Sequence, residues 1–315
     1  MKILITGIYG FVGSYIKNSI NNTHKIIGLD LREKIGQTER SVFNWEELGK
    51  IPSVNAIVHL AGKAHETKNE SEAQDYFNVN TGLTQKIFDY FLQSNARTFI
   101  FFSSVKAAAD RVTGEILTEE VIPAPIGPYG ESKIRAEEYI LRKMSVFKSQ
   151  HLSKMVYILR PCMIHGPGNK GNLNLLYSIV KKGIPWPLGA YESRRSFCSI
   201  DNISYVVEQL IVRNNIESGV YNVGDDEPLS TNELIRLISH SVEKKSRILK
   251  LSKGFVKTMA SLGSVLHLPL NNERLYKLTE NYVVSNAKIK RALGIEKMPV
   301  TAEEGMRKTL ASLKK

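Results

Sequence analysis

Three glycines, Gly7, Gly10 and Gly13, stand between the apolar run Lys2–Thr6 and the amphipathic stretch Phe11–Asn21. This constrains the fold more than any other feature of the chain. A strand that must turn at once into a helix needs a residue free of Cβ at the turn. A second glycine lets a ligand approach the backbone, and a third lets helix and strand pack closely. The start of such a helix offers unpaired N–H groups and the positive end of its dipole, which suits a pyrophosphate. Alone, the triplet is compatible with an ordinary structural turn.

The rest of the first half supplies the context. Strands are predicted at Lys25–Asp30, Ala56–Leu60, Thr98–Phe102 and Met155–Arg160, and helices at Gly82–Ser94, after a polar loop, and Ser132–Phe147. Short apolar runs alternating with amphipathic ones specify βαβ units and a parallel sheet covered on both faces. The fold class is therefore α/β: a doubly wound parallel sheet of Rossmann type, with a smaller mixed α/β lobe for substrate. The sheet domain is assigned to 1–166 and the lobe to 167–315, with the chain crossing back to the first domain around 195–224. Glycines and prolines crowd between Gly166 and Gly189, so loops are expected there. A helix is expected at Ile203–Val212, a strand at Val220–Val223 and a helix at Thr231–Val242, the last started by a Ser230/Glu233 capping box.

Asp30 closes the second strand, 17 residues after Gly13, where a carboxylate can accept hydrogen bonds from an adenosine ribose. That position favours NAD over NADP, because a 2′-phosphate would be repelled. Arg32, two residues on, could meet such a phosphate and keeps NADP in play.

Tyr129 and Lys133 lie four residues apart at the head of the long helix, so both side chains leave one face. An ammonium held beside a phenol favours the phenolate and draws its pKa down from about 10. Such a tyrosine can take a proton from a sugar hydroxyl while hydride leaves the same carbon. Ser103 and Ser104 end the buried strand Thr98–Phe102 at its carboxyl end, where open α/β sheets bind ligands. Ser104 is the candidate to hydrogen-bond the reacting hydroxyl and Ser103 the structural one.

With these residues in view, the chain resembles the extended short-chain dehydrogenase/reductases of the NAD-dependent epimerase/dehydratase type, the group containing UDP-glucose 4-epimerase. The resemblance runs through Thr6–Gly13, His59-Leu60-Ala61-Gly62, Asn80, Ser103-Ser104, Tyr129–Lys133, Leu159-Arg160-Pro161, Gly166-Pro167, Arg194–Phe197, Asp201-Asn202, Tyr221–Gly224 and Leu293-Gly294. It implies a catalytic set of Ser104, Tyr129 and Lys133. It implies a cofactor site of Gly7, Tyr9, Gly10, Phe11, Val12, Gly13, Asp30, Arg32, Leu60, Ala61, Gly62, Asn80, Tyr129, Lys133 and Pro161. Asn172 and Arg195, with Arg274 as a further candidate, would join Ser104 and Tyr129 in holding a UDP-sugar. It also implies a homodimer formed through the two helices at Gly82–Ser94 and Ser132–Phe147.

Three departures narrow the reaction. Ser103-Ser104-Val105 replaces the Thr-Asp-Glu of the 4,6-dehydratases, which argues against dehydration. Ala107-Ala108-Ala109 and Met163 replace a Tyr-Gly and an Asn usual in the family. The reaction expected is 4-epimerisation of a UDP-hexose or UDP-N-acetylhexosamine through a 4-keto sugar. The alternative is an NAD(P)H-dependent 4-ketoreductase of a UDP-4-keto-6-deoxy-hexosamine. A third reading, a non-catalytic dinucleotide sensor or RNA-binding protein, meets an intact Ser-Tyr-Lys set. Cys162 and His165 are read as packing residues.

Composition sets the remaining bounds. The chain has 315 residues, of which 42% are hydrophobic and 23% charged, which excludes disordered and collagen-like chains. Cys162 and Cys198 are the only cysteines and make no disulfide framework or zinc site, so no metal is expected. The start Met1–Gly7 reads as a strand and not as a secretory signal, no stretch is apolar for long enough to span a bilayer, and a cytoplasmic location is expected. The stretch Phe255–Leu270 reads as a half-buried helix. The net charge is +12, but the lysines are scattered and no nucleic-acid module is present, so no nucleic-acid partner is expected.

Overall fold

A computed structural model of the chain describes residues 1–31, 41–64, 70–148, 154–169, 172–265 and 271–314. Its strands are β1 (Lys2–Thr6), β2 (Lys25–Leu29), β3 (Val42–Phe43), β4 (Ala56–His59), β5 (Thr98–Phe102) and β6 (Met155–Pro161), then β7 (Met163–His165), β8 (Arg194–Arg195), β9 (Phe197–Ser199), β10 (Gly219–Val223) and β11 (Leu229–Ser230). Seven of them form one sheet in the order β3-β2-β1-β4-β5-β6-β10, parallel at every pairing.

The alternation within each strand explains the two covered faces. Ile3, Ile5, Ala56, Val58, Ile100 and Phe102 point one way, into a cluster with Ile16 and Ile20 of α1 (Phe11–Ile20) and with Ile203, Val206 and Leu210 of a later helix. Leu4, Ile57, Phe99 and Phe101 point the other way, against Ile87, Phe88, Phe91, Ala136, Ile140 and Met144. Each such side chain contributes roughly 1.5–3 kcal/mol by leaving water. The chain winds β1, β2, β3 outward and then returns to the far side of β1 as β4. The crevice at the carboxyl ends of β1 and β4 is therefore the topological switch point.

Between β4 and β5 the expected polar loop is helical instead. α2 (Glu70–Tyr76), a wide-turned π-helical segment (Phe77–Gly82) and α3 (Leu83–Gln93) follow without a break. Polar residues such as the exposed Gln74 and Asp75 masked this helix from a hydrophobicity reading, while the wide turn carries Asn80 inward to complete burial. α4 (Val105–Ala108) and α5 (Pro128–Lys148) come next. Pro128 itself opens α5, four residues ahead of the predicted start, as its fixed φ and missing N–H allow.

A second correction falls at Gly166–Gly189, where α6 (Asn172–Lys181) replaces part of the expected loop. Its buried Leu173, Tyr177 and Val180, at i, i+4 and i+7, join Trp186, Leu188, Ile235, Ile238, Val256, Ala260, Met306 and Leu310 in a separate core. α7 (Ile200–Val212), α8 (Thr231–Ser241), α9 (Lys253–Val265), α10 (Asn272–Thr279), α11 (Ala287–Leu293) and α12 (Ala302–Ser312) complete the chain. Ser230 and Glu233 form the capping box at the head of α8. α9 covers the amino-terminal part of the predicted Phe255–Leu270 helix, and 266–270 lie outside the described residues. No helix among the described residues is long and apolar enough to cross a membrane.

Candidate active site

At the carboxyl end of β1 the chain turns at Gly7, whose φ of +68° lies in the left-handed region that favours glycine. A Cβ there would sit 2.9 Å from backbone atoms of Ala61, and one on Gly13 would sit 2.2 Å from the Gly7 carbonyl oxygen. Gly10 is the residue before α1 and brings no side-chain cap, so the first N–H groups of the helix are left for a ligand. Tyr9, Phe11 and Val12 are partly buried against the sheet core. Asp30 stands just past β2, where its Oδ2 accepts the Tyr9 N–H at 3.1 Å and its Oδ1 the Leu31 N–H at 2.8 Å. A bare cradle of N–H groups with one carboxylate beside it fits a dinucleotide. Arg32 lies outside the described residues.

Under the loop, the ends of β1 and β4 are pinned together. Thr6 Oγ1 accepts the N–H groups of both Leu60 and Ala61 at 3.1 Å and lies 2.7 Å from His59 Nδ1. Its remaining proton therefore goes to Nδ1. Thr84 donates to the Asn80 carbonyl, so its oxygen accepts from His59 Nε2–H at 2.9 Å. The network assigns His59 as the neutral Nε2–H tautomer. Burial, with the nearby Lys133 charge, pushes the His59 pKa down to about 3. Asn80 is fully engaged as a strut: Oδ1 accepts the Lys63 N–H, and Nδ2 donates to the Lys63 carbonyl and to Ser132 Oγ.

The elements that carry the candidate catalytic set come together at the carboxyl end of β5. Ser104 begins α4 there, its hydroxyl accepting the Lys106 N–H at 3.2 Å. Gly130, on the first turn of α5, presses against the Lys106 carbonyl, where a Cβ would come within 2.6 Å. Tyr129 is thus carried on a helix start that lies against the serine helix. One turn on, the buried Lys133 Nζ donates to the Phe102 carbonyl at 2.8 Å and lies where a Cβ on Gly62 would meet it, at 3.1 Å. Burial lowers the Lys133 pKa to about 8, with Glu137 pulling the other way. The Tyr129 ring meets the edge of Tyr76 at 6.2 Å between centroids. Tyr76 is fully buried, and its hydroxyl has no hydrogen-bond partner.

Behind this set stands a second charged layer that motif reading missed. Glu137, one further turn along α5, is fully buried and receives Arg160 Nε at 3.0 Å and Nη2 at 2.6 Å, together with the Ser103 hydroxyl. Ser103 thus has a structural partner, and the spacing Lys133 to Glu137 was the signal available. Pro161 ends β6 and is paired with Val223 of β10. Cys162 is buried, and burial pushes its thiol pKa up. His165 is closed in between Thr309 and Asp225.

The substrate-side residues are less gathered. Asn172 opens α6. Arg195, in β8, donates from Nη2 to the Lys277 carbonyl, and its buried Nε has no partner. Arg274 is exposed on α10, its N–H held by the capping Asn271. What connects Arg195 to the catalytic set is Tyr282, absent from every motif. Its backbone bridges β8, donating an N–H to the Arg194 carbonyl and accepting from Ser196. Its hydroxyl, meanwhile, reaches the carbonyls of Val105 at 3.3 Å and Ala109 at 2.6 Å. The helix that Ser104 caps and the strand that carries Arg195 are thereby fastened to one side chain.

Comparison with known proteins gives the family. Residues 3–224 match the NAD dependent epimerase/dehydratase family, and the chain belongs to that family. It is 29% identical to a UDP-glucose 4-epimerase of Vibrio cholerae over 321 residues, covering 98% of this chain and 94% of the relative. It is 26% identical to an N-acetyl-alpha-D-glucosaminyl-diphospho-ditrans,octacis-undecaprenol 4-epimerase of Escherichia coli, covering 78% of this chain and 73% of the relative. A UDP-N-acetylglucosamine 4-epimerase structure from Bacillus cereus shares the fold with a TM-score of 0.76 over the whole of both chains, at 20% identity. The cofactor is NAD, as the family's chemistry requires and the glycine cradle beside Asp30 accommodates.

Proposed function

We propose that the chain is a nucleotide-sugar epimerase that inverts C4 of a UDP-hexose or UDP-N-acetylhexosamine by way of a 4-keto sugar. The observation that carries this reading is the position of Lys133: a buried ammonium anchored on the end of β5, one turn from Tyr129 and against Gly62. When bound, NAD supplies the hydride acceptor and donor. Tyr129 takes the proton from the C4 hydroxyl, helped by the Lys133 cation, which favours the phenolate. Ser104 holds that hydroxyl and steadies the proton's path. Returning the proton from Tyr129 to the ketone oxygen completes either epimer, so one acid/base serves both directions.

Arg195 is assigned to the diphosphate. Its guanidinium is fixed at one edge by the Lys277 carbonyl and has donors to spare, which suits charge-assisted bonds to phosphoryl oxygens. The functional unit is proposed to be a homodimer packed through α3 and α5. Relatives that are UDP-sugar 4-epimerases support the reaction class.

The test is to denature freshly purified protein, identify any released dinucleotide, and assay the native protein with UDP-glucose and UDP-N-acetylglucosamine. Stoichiometric NAD with interconversion of the C4 epimers is the expected result. An empty site, with one-way NAD(P)H consumption on a 4-keto-6-deoxy sugar nucleotide, would replace the epimerase with a ketoreductase.

A further inference from the structure

Tyr76, the last residue of α2, is fully buried, yet it belongs to neither of the two sheet-face cores nor to the core of the second lobe. Its hydroxyl is buried too and has no hydrogen-bond partner among the described residues. Neither core packing nor a polar contact accounts for the residue. What remains is what its ring touches. The Tyr129 ring lies 6.2 Å away between centroids, at an interplanar angle of 72°, the near-perpendicular arrangement that aromatic pairs favour. Lys63 Nζ lies over the Tyr76 ring, 5.1 Å from its centroid, and is paired with Asp75 Oδ2 at 3.1 Å.

The same segment also holds the backbone of Tyr129. Asn80 Nδ2 donates to Ser132 Oγ at 2.9 Å, and Ser132 Oγ donates to the Tyr129 carbonyl at 2.9 Å. Thr81 Oγ1 donates to the Ser132 carbonyl at 2.8 Å. Asn80 further ties the Lys63 backbone through both atoms of its amide. Hydrogen bonds to a backbone do not choose the rotamer of its side chain, however, and a half-buried tyrosine has more than one staggered well open to it. A contact to the ring itself makes that choice. We infer that Tyr76 is a positioning residue for the reaction: its ring selects the rotamer of Tyr129 that brings the phenol to Lys133 and to the substrate hydroxyl. The inference rests on the acid/base role proposed for Tyr129. The ring of Tyr76 carries the function and its hydroxyl does not, since the hydroxyl bonds to nothing.

The experiment titrates the Tyr129 phenol by ultraviolet difference absorbance in wild type, Tyr76→Phe and Tyr76→Leu, each read against the same protein carrying Tyr129→Phe. This signal needs no substrate. In wild type and Tyr76→Phe the phenolate should form at one and the same pH. In Tyr76→Leu it should form at a higher pH, closer to the value of about 10 of an unperturbed tyrosine, because a phenol that leaves its rotamer also leaves the Lys133 cation. Turnover of a UDP-sugar is then compared. In Tyr76→Leu kcat should fall about fivefold to tenfold, the worth of one aromatic pair, while KM stays within about twofold. Tyr76→Phe should keep the wild-type kcat and melt no earlier, since it discards an unsatisfied buried hydroxyl. Circular dichroism melting checks that the variants are folded. Should Tyr76→Leu not fold, Tyr76→Met takes its place, a flexible side chain that fills the space without a ring. A titration and a kcat equal to wild type in the folded ringless variant overturn the inference. So does a Tyr76→Phe variant that loses turnover, which would give the role to the hydroxyl, and so does failure of both ringless variants to fold, which would make Tyr76 a folding residue. Should wild type turn over no UDP-sugar, the reading of the reaction falls, and the titration decides the role of Tyr76 by itself.

Discussion

Glu137 and Arg160 are held to one another by three hydrogen bonds in the interior, the carboxylate fully buried and the guanidinium 3% exposed. One residue comes from the middle of α5 and the other from β6, and the Ser103 hydroxyl closes the group from the end of β5. The pair therefore fixes the helix that carries Tyr129 and Lys133 against the strand end that carries Ser104. Glu137→Gln strands a buried guanidinium, and a loss of about 3–5 kcal/mol is expected in urea unfolding. Combining Glu137→Met with Arg160→Met should cost less than the sum of the single changes, because no charge is left unpaired. Strict additivity of the two would mean that the pair does not act as a unit.

His59 makes stability depend on pH in a window that can be stated in advance. Its pKa falls from 6.5 in the unfolded chain to about 3 in the folded one. Between these values the unfolded state binds the extra proton, so stability falls as pH drops below about 6.5. From pH 7 to pH 5 the His59 contribution should shrink by about 2 kcal/mol. Parallel unfolding curves for the wild type and His59→Gln across that range isolate it, and equal pH slopes would count against the assignment.

Tyr129→Phe removes the proposed proton acceptor and leaves the glycine cradle untouched. Turnover is expected to fall by about two to four orders of magnitude while the released dinucleotide content stays the same. A variant with normal turnover would falsify the role given to Tyr129 and revive the reading of a non-catalytic dinucleotide sensor or RNA-binding protein.

Lys133 sets an upper pH limit on the same step. Burial brings its pKa down from 10.5 to about 8, so the cation beside Tyr129 is lost as pH rises through that value. The rate should therefore decline above about pH 8. With Lys133→Arg, which keeps its charge, that decline should vanish even where the absolute rate is lower. A decline unchanged in the arginine variant would place the titrating group elsewhere.

Tyr282 is a positioning residue, reaching the reaction only through the elements it joins. Tyr282→Phe deletes the hydroxyl bonds to the carbonyls of Val105 and Ala109. About 1–2 kcal/mol of stability should be lost. The KM for the UDP-sugar should rise more than kcat falls, because it is the Arg195 strand that loosens relative to Ser104. An effect on stability alone would reduce Tyr282 to packing.

The local order of the chain fixed much of what is seen. The glycine spacing between an apolar run and an amphipathic one pointed to a strand-to-helix turn, and the alternation of strands and helices to a parallel sheet covered on both sides. The i, i+4 spacing put Tyr129 and Lys133 on one face, and the double serine marked the strand end that α5 leans on. Each of these depends on residues close together in sequence, whose local physics is legible without the fold. The partners of those residues are not. Nothing near Glu137 announces Arg160, and nothing near Ser104 announces Tyr282, because each pair is joined only when distant elements pack. The helix at Glu70–Gly82 was hidden for a related reason: its outward residues are polar, and of its inward ones, Tyr76 and Asn80, the second finds its partners on Lys63 and Ser132. The exposed face of α9 is the clearest case. A sequence shows Phe255, Met259 and Leu262 as apolar, but only the tertiary structure decides that Val256 and Ala260 take the place in the core and leave the other three in water.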